Sequence, residues 1–331
     1  SSLSQRLLRK GSTDGFWLSD TDDTIASDGT SPTLFCFTMS MSFGYEPDLL
    51  AAQAEAGLHL FGCDGFQVFS DKAYTDVFNV TVLEGPLTSP KGKYNSYLNA
   101  PALAKVWDRI FSEGRYQDYD WIIKVDADAV MFPERVRRVL STACMQTPCE
   151  ALAVNDCGVL GGPATALVPG PIQTLSRAGV DQFALQINHC REHIDMSKLE
   201  EDIFLSRCLD LLEVPKSSPT GFMRNNDCDA GLDVYPIWRH AKLLYERSDL
   251  STWFTCDCCN AAFHPYKTID AWFTCWDTAH NAHMTEQARL MVFFVLPLAL
   301  IISCACFVCF RTKRQHRMSA RMPSINQEAQ E

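Results

Sequence analysis

The sequence lacks an excess of positive charge. Of its 331 residues, 29 are Lys or Arg and 40 are Asp or Glu, so its formal net charge is −11. A nucleic-acid-binding protein needs a broad cationic face, and this balance argues against that function. The sequence also lacks a repeat period, a zinc-finger spacing and a helix-turn-helix spacing. With 47% hydrophobic and 21% charged residues, its composition is that of a globular protein.

One segment lacks charge entirely. The 21 residues from Leu290 to Phe310 contain no charged side chain, a length that matches the hydrocarbon core of a bilayer. We therefore predict a transmembrane helix over 288–310. The basic run RTKRQHR follows directly, and cationic residues at a membrane edge indicate the cytoplasmic side. A single-pass protein is predicted, with 311–331 as a basic cytoplasmic tail and the body lumenal or extracellular, in the Golgi or the endoplasmic reticulum.

Cysteine usage and a glycosylation sequon agree with a lumenal body. Twelve of the 15 cysteines precede the predicted span, where an oxidising compartment favours disulfides, although the sequence leaves their pairing open. Asn79-Val80-Thr81 is an acceptor sequence for N-glycosylation. The chain begins with Ser1, and we expect a fragment or a processed form that lacks its targeting segment.

The order of predicted elements indicates an α/β fold. Residues 1–32 are rich in Ser, Thr, Asp and Gly and are predicted to be a flexible stem, followed by one domain over 33–280. The predicted strands are TLFCFTMSM, FQVFS, VFNVTVL and WIIKV, and the predicted helices are EPDLLAAQAEAG, YLNAPALAKVWDRIFSEG and FPERVRRVLS. This alternation predicts a mostly parallel sheet with helices on both faces, which binds ligands at the carboxyl ends of its strands.

Two aspartates follow the apolar strand WIIKV at that binding edge. Asp126 and Asp128 are two positions apart, so a strand-like backbone places both carboxylates on the same side. Close carboxylates repel unless a cation lies between them, and oxygen ligands suit Mn²⁺ or Mg²⁺. The alternatives are a solvated turn and a helix N-cap.

The segment WIIKVDADAVMFPERV resembles the DxD segment of GT-A fold glycosyltransferases. Over roughly 33–277 the chain, including FTMSMSFGYEPDLL and AFHPYKTIDAWFTC, is also similar to a group of uncharacterised protist membrane proteins. The resemblance implies a GT-A-like fold in which Asp126 and Asp128 hold Mn²⁺ or Mg²⁺ on the diphosphate of a nucleotide sugar. It further implies a hexosyltransferase-like enzyme that transfers sugar to a hydroxyl group of a glycan or protein acceptor.

The same resemblance suggests two further roles. In KLEEDIFLSRCLDLL it implies that Asp202, or next Glu201, is the general base on the acceptor hydroxyl, and inversion is our expectation. The alternative is that these carboxylates only stabilise the first turn of a helix. In AAFHPYK it implies that His264 is the third metal ligand and Lys267 a diphosphate contact, the alternative being a structural histidine before Pro265.

Weaker indications concern the nucleotide, the acceptor and the cysteines. Asn99 and Lys105 are candidate nucleotide contacts, although a lysine on an amphipathic helix is usually solvated. The Gly- and Pro-rich stretch 158–183 is not expected to form long elements and is assigned to acceptor contacts. The sequence CDCCNAAFH places three cysteines near His264, but its spacing fits no regular zinc site, and disulfides are favoured there.

Two other function classes are compatible with these patterns. One is a non-enzymatic, cysteine-stabilised membrane ectodomain in which Asp126 and Asp128 hold Ca²⁺ or cap a helix. Its support is the predicted C-terminal anchor, since most glycosyltransferases of the Golgi have an N-terminal one. The other is a nucleotide-sugar hydrolase with the same metal site.

Overall fold

The structure, a computed structural model, describes residues 31–92, 97–144, 148–154, 168, 170–217, 219, 221–225, 256 and 260–290. The strands are β1 (Leu34–Met39), β2 (Gly65–Ser70), β3 (Val80–Val82), β4 (Trp121–Val125), β5 (Val130–Met131), β6 (Ala153–Val154), β7 (Ile172–Ser176), β8 (Lys216–Ser217), β9 (Met223–Asn225) and β10 (Ala262–His264). The α-helices are α1 (Glu46–Ala56), α2 (Ala100–Glu113), α3 (Pro133–Ala143), α4 (Arg177–His193), α5 (Glu201–Leu211) and α6 (Ile269–Leu290). Short 3₁₀ turns lie at His59–Gly62, Arg115–Asp118 and Met196–Lys198.

The main sheet is mixed and mostly parallel. Within the described residues it has seven strands in the order β3-β2-β1-β4-β7-β6-β8. Strands β1, β2, β3 and β4 are mutually parallel, and β7 alone runs against both of its neighbours. The predicted α/β class and mostly parallel sheet are therefore confirmed.

Both faces of this sheet are covered by helices. Leu34 and Cys36 of β1 pack in one core cluster with α1 and α3, whereas Phe35 and Phe37 pack in another with α2, α4 and α5. Successive strand residues point to opposite faces, so a strand buried on both sides is an almost uninterrupted apolar run. The run LFCFTM of β1 is such a sequence.

Glycines end helices α1 and α2. Gly57 follows α1 with φ 66° and Gly114 follows α2 with φ 67°, left-handed conformations that glycine adopts at little cost. Each of these helices also has a proline in its first turn, where the missing N–H has no intrahelical partner. Both helix ends agree with the sequence prediction.

A second, small sheet brings the segment that contains β10 back to the loop that follows β4. Strand β10 pairs antiparallel with β5, with Ala262 opposite Met131 and Phe263 opposite Val130. Because this register continues toward the start of β5, His264 arrives beside the loop that contains Asp128. Helix α6 covers the small sheet with Trp272, which is fully buried.

The stretch 158–183 differs in part from its prediction. Its last portion forms β7 and the start of α4, which begins at Arg177 in spite of Gly179. The Ser176 hydroxyl caps this helix by accepting a hydrogen bond from the Gly179 N–H at 3.2 Å. A Cβ at Gly179 would lie 3.2 Å from the Leu152 carbonyl oxygen, so this glycine permits close packing and does not interrupt the helix. Residues 158–167 lie outside the described residues.

Disulfides join Cys36 to Cys63, Cys144 to Cys149, Cys190 to Cys208, and Cys256 to Cys275 among the described cysteines. The expectation of disulfides is confirmed for these pairs. Cys256 belongs to a disulfide and not to a zinc site, and Cys258 and Cys259 lie outside the described residues.

In the described part of the chain, no helix is both long enough and apolar enough to cross a membrane. The predicted transmembrane helix over 288–310 lies outside the described residues except for its first three positions, which belong to α6. The predicted tail, 311–331, and the predicted stem up to residue 30 also lie outside them. Helix α6 extends to Leu290, beyond the expected domain end at 280.

Candidate functional site

The sheet topology creates a crevice between the carboxyl ends of β1 and β4. These strands are parallel neighbours. The next strand of this sheet after β1 is β2, which lies on one side of the pair, and the next after β4 is β6, which lies on the other side. Such a reversal separates the two outgoing loops and opens a ligand-binding crevice. Residues 40–45 and 126–129 form the loops at this position.

Asp126, Asp128 and His264 meet in this crevice. Each offers one ligand atom, and the three atoms lie within 4.8 Å of one another. The His264 Nε2 lies 3.3 Å from the Asp128 Oδ1. The Asp128 side chain is 8% exposed and that of Asp126 is 34% exposed, so the group opens to solvent on the Asp126 side. The structure thus brings together the three residues that the sequence suggested as metal ligands.

The loop that contains the two aspartates is fixed from four directions. Hydrogen bonds run from Gln53 Nε2 to the Ala127 carbonyl (2.8 Å), from the Asp126 N–H to the Pro171 carbonyl (2.9 Å), from the Tyr266 N–H to the Asp128 carbonyl (2.8 Å), and from Trp272 Nε1 to the Ala129 carbonyl (2.7 Å). Each net hydrogen bond contributes about 1 kcal/mol. The donors and acceptors outside the loop come from α1, the residues before β7, the residues after β10, and α6, so the loop geometry depends on the whole fold.

Neither aspartate caps a helix. Helix α3 begins at Pro133 with Phe132 as its N-cap residue, and β5 separates it from Asp128. The helix-capping alternative for Asp126 and Asp128 is therefore wrong.

Lys124 is a buried cation directly behind the cluster. Its side chain is 4% exposed, and its Nζ forms a short ion pair with Asp126 and a second one, at 3.0 Å, with Glu201 Oε1. A third bond, 2.6 Å long, runs to the Gly170 carbonyl oxygen. Burial lowers the pKa of Lys124, but the two carboxylates outweigh burial and raise it above its ordinary value, so the lysine is charged.

The two aspartates are in different electrostatic environments. Burial alone raises the pKa of Asp128, but its His264 neighbour, Lys267 and the Tyr45 hydroxyl outweigh burial and hold the pKa at about 2. The Tyr45 hydroxyl, on the loop after β1, donates to Asp128 Oδ2 at 3.0 Å. Burial, with the nearby carboxylates of Glu201 and Asp128, raises the pKa of Asp126 in spite of Lys124. The crevice therefore has a surplus of negative charge.

Helix α5 begins beside the same lysine. Glu201 is buried, and its N–H donates to the Asn99 Oδ1 at 2.9 Å. The ion pair with Lys124 outweighs burial and lowers the pKa of Glu201. The next residue, Asp202, has its pKa raised to about 7, first by burial and then by the negative charge of Glu201. The pKa values of the two carboxylates predicted for general-base catalysis are thus shifted in opposite directions.

The backbone of Gly170 lies beside Lys124 and both of these carboxylates. A Cβ at this position would lie 2.9 Å from Glu201 Oε1, closer than real side chains allow, and 4.0 Å from Asp202 Oδ2. Because Glu201 Oε1 is held by Lys124, the carboxylate has little freedom to move aside. The glycine therefore lets the backbone approach close enough for its carbonyl to accept from Lys124.

The remaining predicted contacts divide between the crevice and a distant surface. The Lys267 Nζ lies 5.8 Å from the Tyr45 ring centroid, at the mouth of the cluster. The Asn99 amide oxygen accepts from the start of α5, so Asn99 positions that helix. The Lys105 Nζ instead lies 3.3 Å from the Pro86 carbonyl oxygen, after β3, and no ion pair or hydrogen bond among the described residues joins it to the crevice.

Sequence reasoning missed Lys124, Tyr45 and Gly170. A signal for Lys124 was present, since a lysine within the apolar run WIIKV is almost never buried without an acidic partner. The signal did not identify which carboxylate would pair with it. Tyr45 and Gly170 carry no comparable local signal.

The donor set fits a divalent transition cation. The carboxylates of Asp126, Asp128 and Glu201 converge here against the ammonium groups of Lys124 and Lys267, and a bound cation would neutralise the remaining negative charge. Mg²⁺ and Ca²⁺ prefer oxygen ligands only, whereas the His264 imidazole favours a transition metal such as Mn²⁺. Two carboxylates and one imidazole are a donor set that Mn²⁺ can accept.

Comparisons with known proteins find similarity among solved structures. No protein-family model matches the sequence, and no curated protein matches it. Among solved structures, the chain is similar to a glycosyltransferase involved in the glycosylation of the major capsid of PBCV-1, with a TM-score of 0.40 and 10% sequence identity. The match covers 74% of this chain and 100% of that one. A likeness at this level assigns no activity to the chain.

Proposed function

We propose that this chain is a metal-dependent glycosyltransferase of GT-A type, which transfers a sugar from a nucleotide-sugar donor to a hydroxyl acceptor on a glycan or a protein. The observation that carries the proposal is the convergence of Asp126, Asp128 and His264 in the crevice between β1 and β4. The resemblance of the segment 121–136 to DxD segments points the same way.

In this proposal Asp126, Asp128 and His264 hold Mn²⁺. The cation, when bound, supplies charge neutralisation and Lewis-acid stabilisation for the departing nucleoside diphosphate. Lys267 supports this use of the crevice, because it is exposed at the mouth and its positive charge already acts on Asp128. In the proposed complex its ammonium group would contact a phosphate oxygen. Tyr45 and Lys124 keep the two aspartates in position.

Asp202 is the residue that we assign as general base. A base works best when its pKa is near the working pH, and the pKa of Asp202 is raised to about 7. Glu201 is the poorer candidate because its carboxylate is buried and paired with Lys124. Asp202 would accept the proton of the acceptor hydroxyl as that oxygen attacks the sugar, which implies inversion at the anomeric carbon.

A second candidate, a Ca²⁺-holding ectodomain without enzymatic activity, has less support. The His264 imidazole lies within the cluster, and Ca²⁺ is held by oxygen ligands.

We further propose, from the sequence alone, that the domain is anchored by the segment 288–310 and faces the lumen of the secretory pathway.

A donor screen tests the proposed activity. The full chain is incubated with individual UDP- and GDP-sugars and Mn²⁺, with and without a mixture of glycan and peptide acceptors, and the released nucleotide is measured. We expect release from one donor class that increases with acceptor and is lost in EDTA. Release that is independent of every acceptor would identify a nucleotide-sugar hydrolase instead.

The matched variants are Asp128→Asn in the crevice and Asp118→Asn, an exposed aspartate outside it. Only the first should abolish release. If no donor is cleaved under any condition, or if both variants release nucleotide as the unchanged chain does, the proposed function is wrong.

A further inference from the structure

A second group of potential metal ligands lies on the last turn of α4, away from the DxD loop. His189, Glu192 and His193 each present one ligand atom, and these atoms lie within 4.8 Å of one another. The spacing i, i+3 and i+4 places the three side chains on one helical face. All three are exposed. The group contains two imidazoles and one carboxylate, so it differs in chemistry from the carboxylate-rich crevice.

The protonation of one imidazole is set by the backbone. The His193 Nδ1 lies 2.8 Å from the His189 carbonyl oxygen, and a carbonyl can only accept, so the Nδ1 carries the proton. In the neutral ring the Nε2 then has its lone pair free for a cation. A ligating histidine commonly donates its other N–H to a backbone carbonyl, which fixes the ring orientation in this way.

The backbone of this turn is also fixed. Cys190 forms a disulfide with Cys208 of α5, and its carbonyl accepts from the Ile194 N–H at 2.9 Å. The two imidazole rings are 4.2 Å apart between centroids, so they are already neighbours. A metal would therefore need to order side chains only, which lowers the entropic cost of binding.

The electrostatic surroundings favour a cation at this position. The group lies at the C-terminus of a 17-residue helix, the negative end of its dipole. Arg191 is in the same turn, but its guanidinium forms an ion pair with Asp108 of α2 at 2.7 Å. Its charge is thereby partly neutralised.

We propose that His189, Glu192 and His193 form a binding site for a transition cation that prefers imidazole, Zn²⁺ being the expected occupant. Three protein ligands with a fourth position open to water are a common arrangement for Zn²⁺. Zn²⁺ bonds of about 2.0–2.2 Å require tetrahedral ligand atoms roughly 3.3 Å apart. With the His193 ring held, the exposed side chains of His189 and Glu192 reach this spacing by rotation about their own bonds. The site does not depend on the proposed glycosyltransferase activity.

Zinc binding is measured by calorimetry on the full chain without a polyhistidine tag. The Asp126→Asn/Asp128→Asn variant serves as the parent, so that the crevice does not contribute. We expect one equivalent of Zn²⁺ to bind this parent. Adding His189→Ala and His193→Ala should weaken binding by about tenfold or more. Cu²⁺ provides a spectroscopic check, since its paramagnetic resonance spectrum should show coupling to two nitrogens in the parent and not in the double-alanine variant.

The matched control is His280→Ala, which removes an exposed histidine of α6 outside the group. This variant should bind Zn²⁺ as the parent does. Melting temperature supplies a second readout, because a ligand that binds only the folded state raises it. Zn²⁺ should raise the melting temperature of the parent and of His280→Ala, but not that of the double-alanine variant. Equal Zn²⁺ affinity with and without the two histidines, or no binding to the parent, would overturn the proposal.

Discussion

The Lys124 Nζ lies 3.0 Å from Glu201 Oε1, across 77 positions of the chain. The same ammonium group contacts Asp126, so one buried cation joins the loop after β4 to the first turn of α5. The loop carries two of the three proposed metal ligands, and the first turn of α5 carries the proposed base next to Glu201. Lys124 therefore acts as a positioning residue for both.

Replacing Lys124 tests this link. Removing one partner of a buried ion pair leaves an uncompensated charge, and Lys124→Met should lower the free energy of unfolding by about 3 kcal/mol. The double variant Lys124→Met/Glu201→Leu should recover part of that loss, since the orphaned carboxylate of Glu201 is also removed. Urea unfolding of the two single variants and the double variant gives the coupling energy between the residues.

Lys105→Met is the matched control, because Lys105 is an exposed lysine of α2 outside the crevice. Its effect should stay within about 0.5 kcal/mol. Strictly additive losses for Lys124→Met and Glu201→Leu would show that the two groups do not act on each other.

The crevice aspartates are expected to control nucleotide binding. Asp126→Asn and Asp128→Asn each remove a charged ligand, and either change should abolish Mn²⁺-dependent binding of nucleoside diphosphate. The fold should persist, since the loop is held by hydrogen bonds to its backbone groups that these changes leave in place. Calorimetry with Mn²⁺ and UDP or GDP checks the affinity, and circular dichroism checks the fold. Unchanged affinity in both variants would exclude them as ligands.

Much of the fold was predictable because its signals are local. The strand WIIKV, the helix that ends at Gly114 and the helix that begins at Pro133 follow from apolar patterning and terminal residues. The placement of Asp126 and Asp128 in the crevice was predictable for the same reason, since they follow a buried strand at the carboxyl edge of a mostly parallel sheet.

Contacts between distant segments were not predictable from such signals. The Lys124–Glu201 pair, the Tyr45–Asp128 hydrogen bond and the close approach of Gly170 depend on the sheet order and on the antiparallel β7. No local pattern specifies which strand lies beside β4. The arrival of His264 was suggested only by resemblance, because its position follows from the pairing of β10 with β5.

Membrane topology is testable without any knowledge of the activity. If 288–310 spans the bilayer with the tail on the cytosolic side, the tail lies outside sealed microsomes. Protease added to them should then remove only residues after about 311. Asn79, whose side chain is exposed, should carry a glycan that endoglycosidase removes, and Asn79→Gln should abolish the mass shift. Digestion of the body in sealed microsomes would instead place the domain in the cytosol.

The role of Asp202 has the sharpest kinetic consequence. If it is the general base, Asp202→Asn should reduce transfer by roughly 10²–10⁴-fold while leaving Mn²⁺ and nucleotide binding nearly unchanged. The transfer rate of the unchanged chain should rise with pH through an apparent pKa of about 7, as Asp202 becomes ionised. The variant should lose this rise.

The contribution of Asp202 to stability should fall as pH increases, whereas the transfer rate should rise. Its pKa is raised on folding, so the folded state binds the proton more tightly than the unfolded state, and the contribution of this group to stability falls as pH increases from about 4 to about 7. Asp202→Asn should remove that part of the pH dependence and unfold at no lower temperature at pH 8. A residue that only stabilises the first turn of α5 would behave differently: its loss would reduce stability by about 1 kcal/mol or less and leave turnover near normal. Melting temperature and transfer rate, measured on one preparation at pH 5, 6, 7 and 8, separate the two roles. Normal turnover in the asparagine variant would exclude Asp202 and make Glu201 the next residue to test.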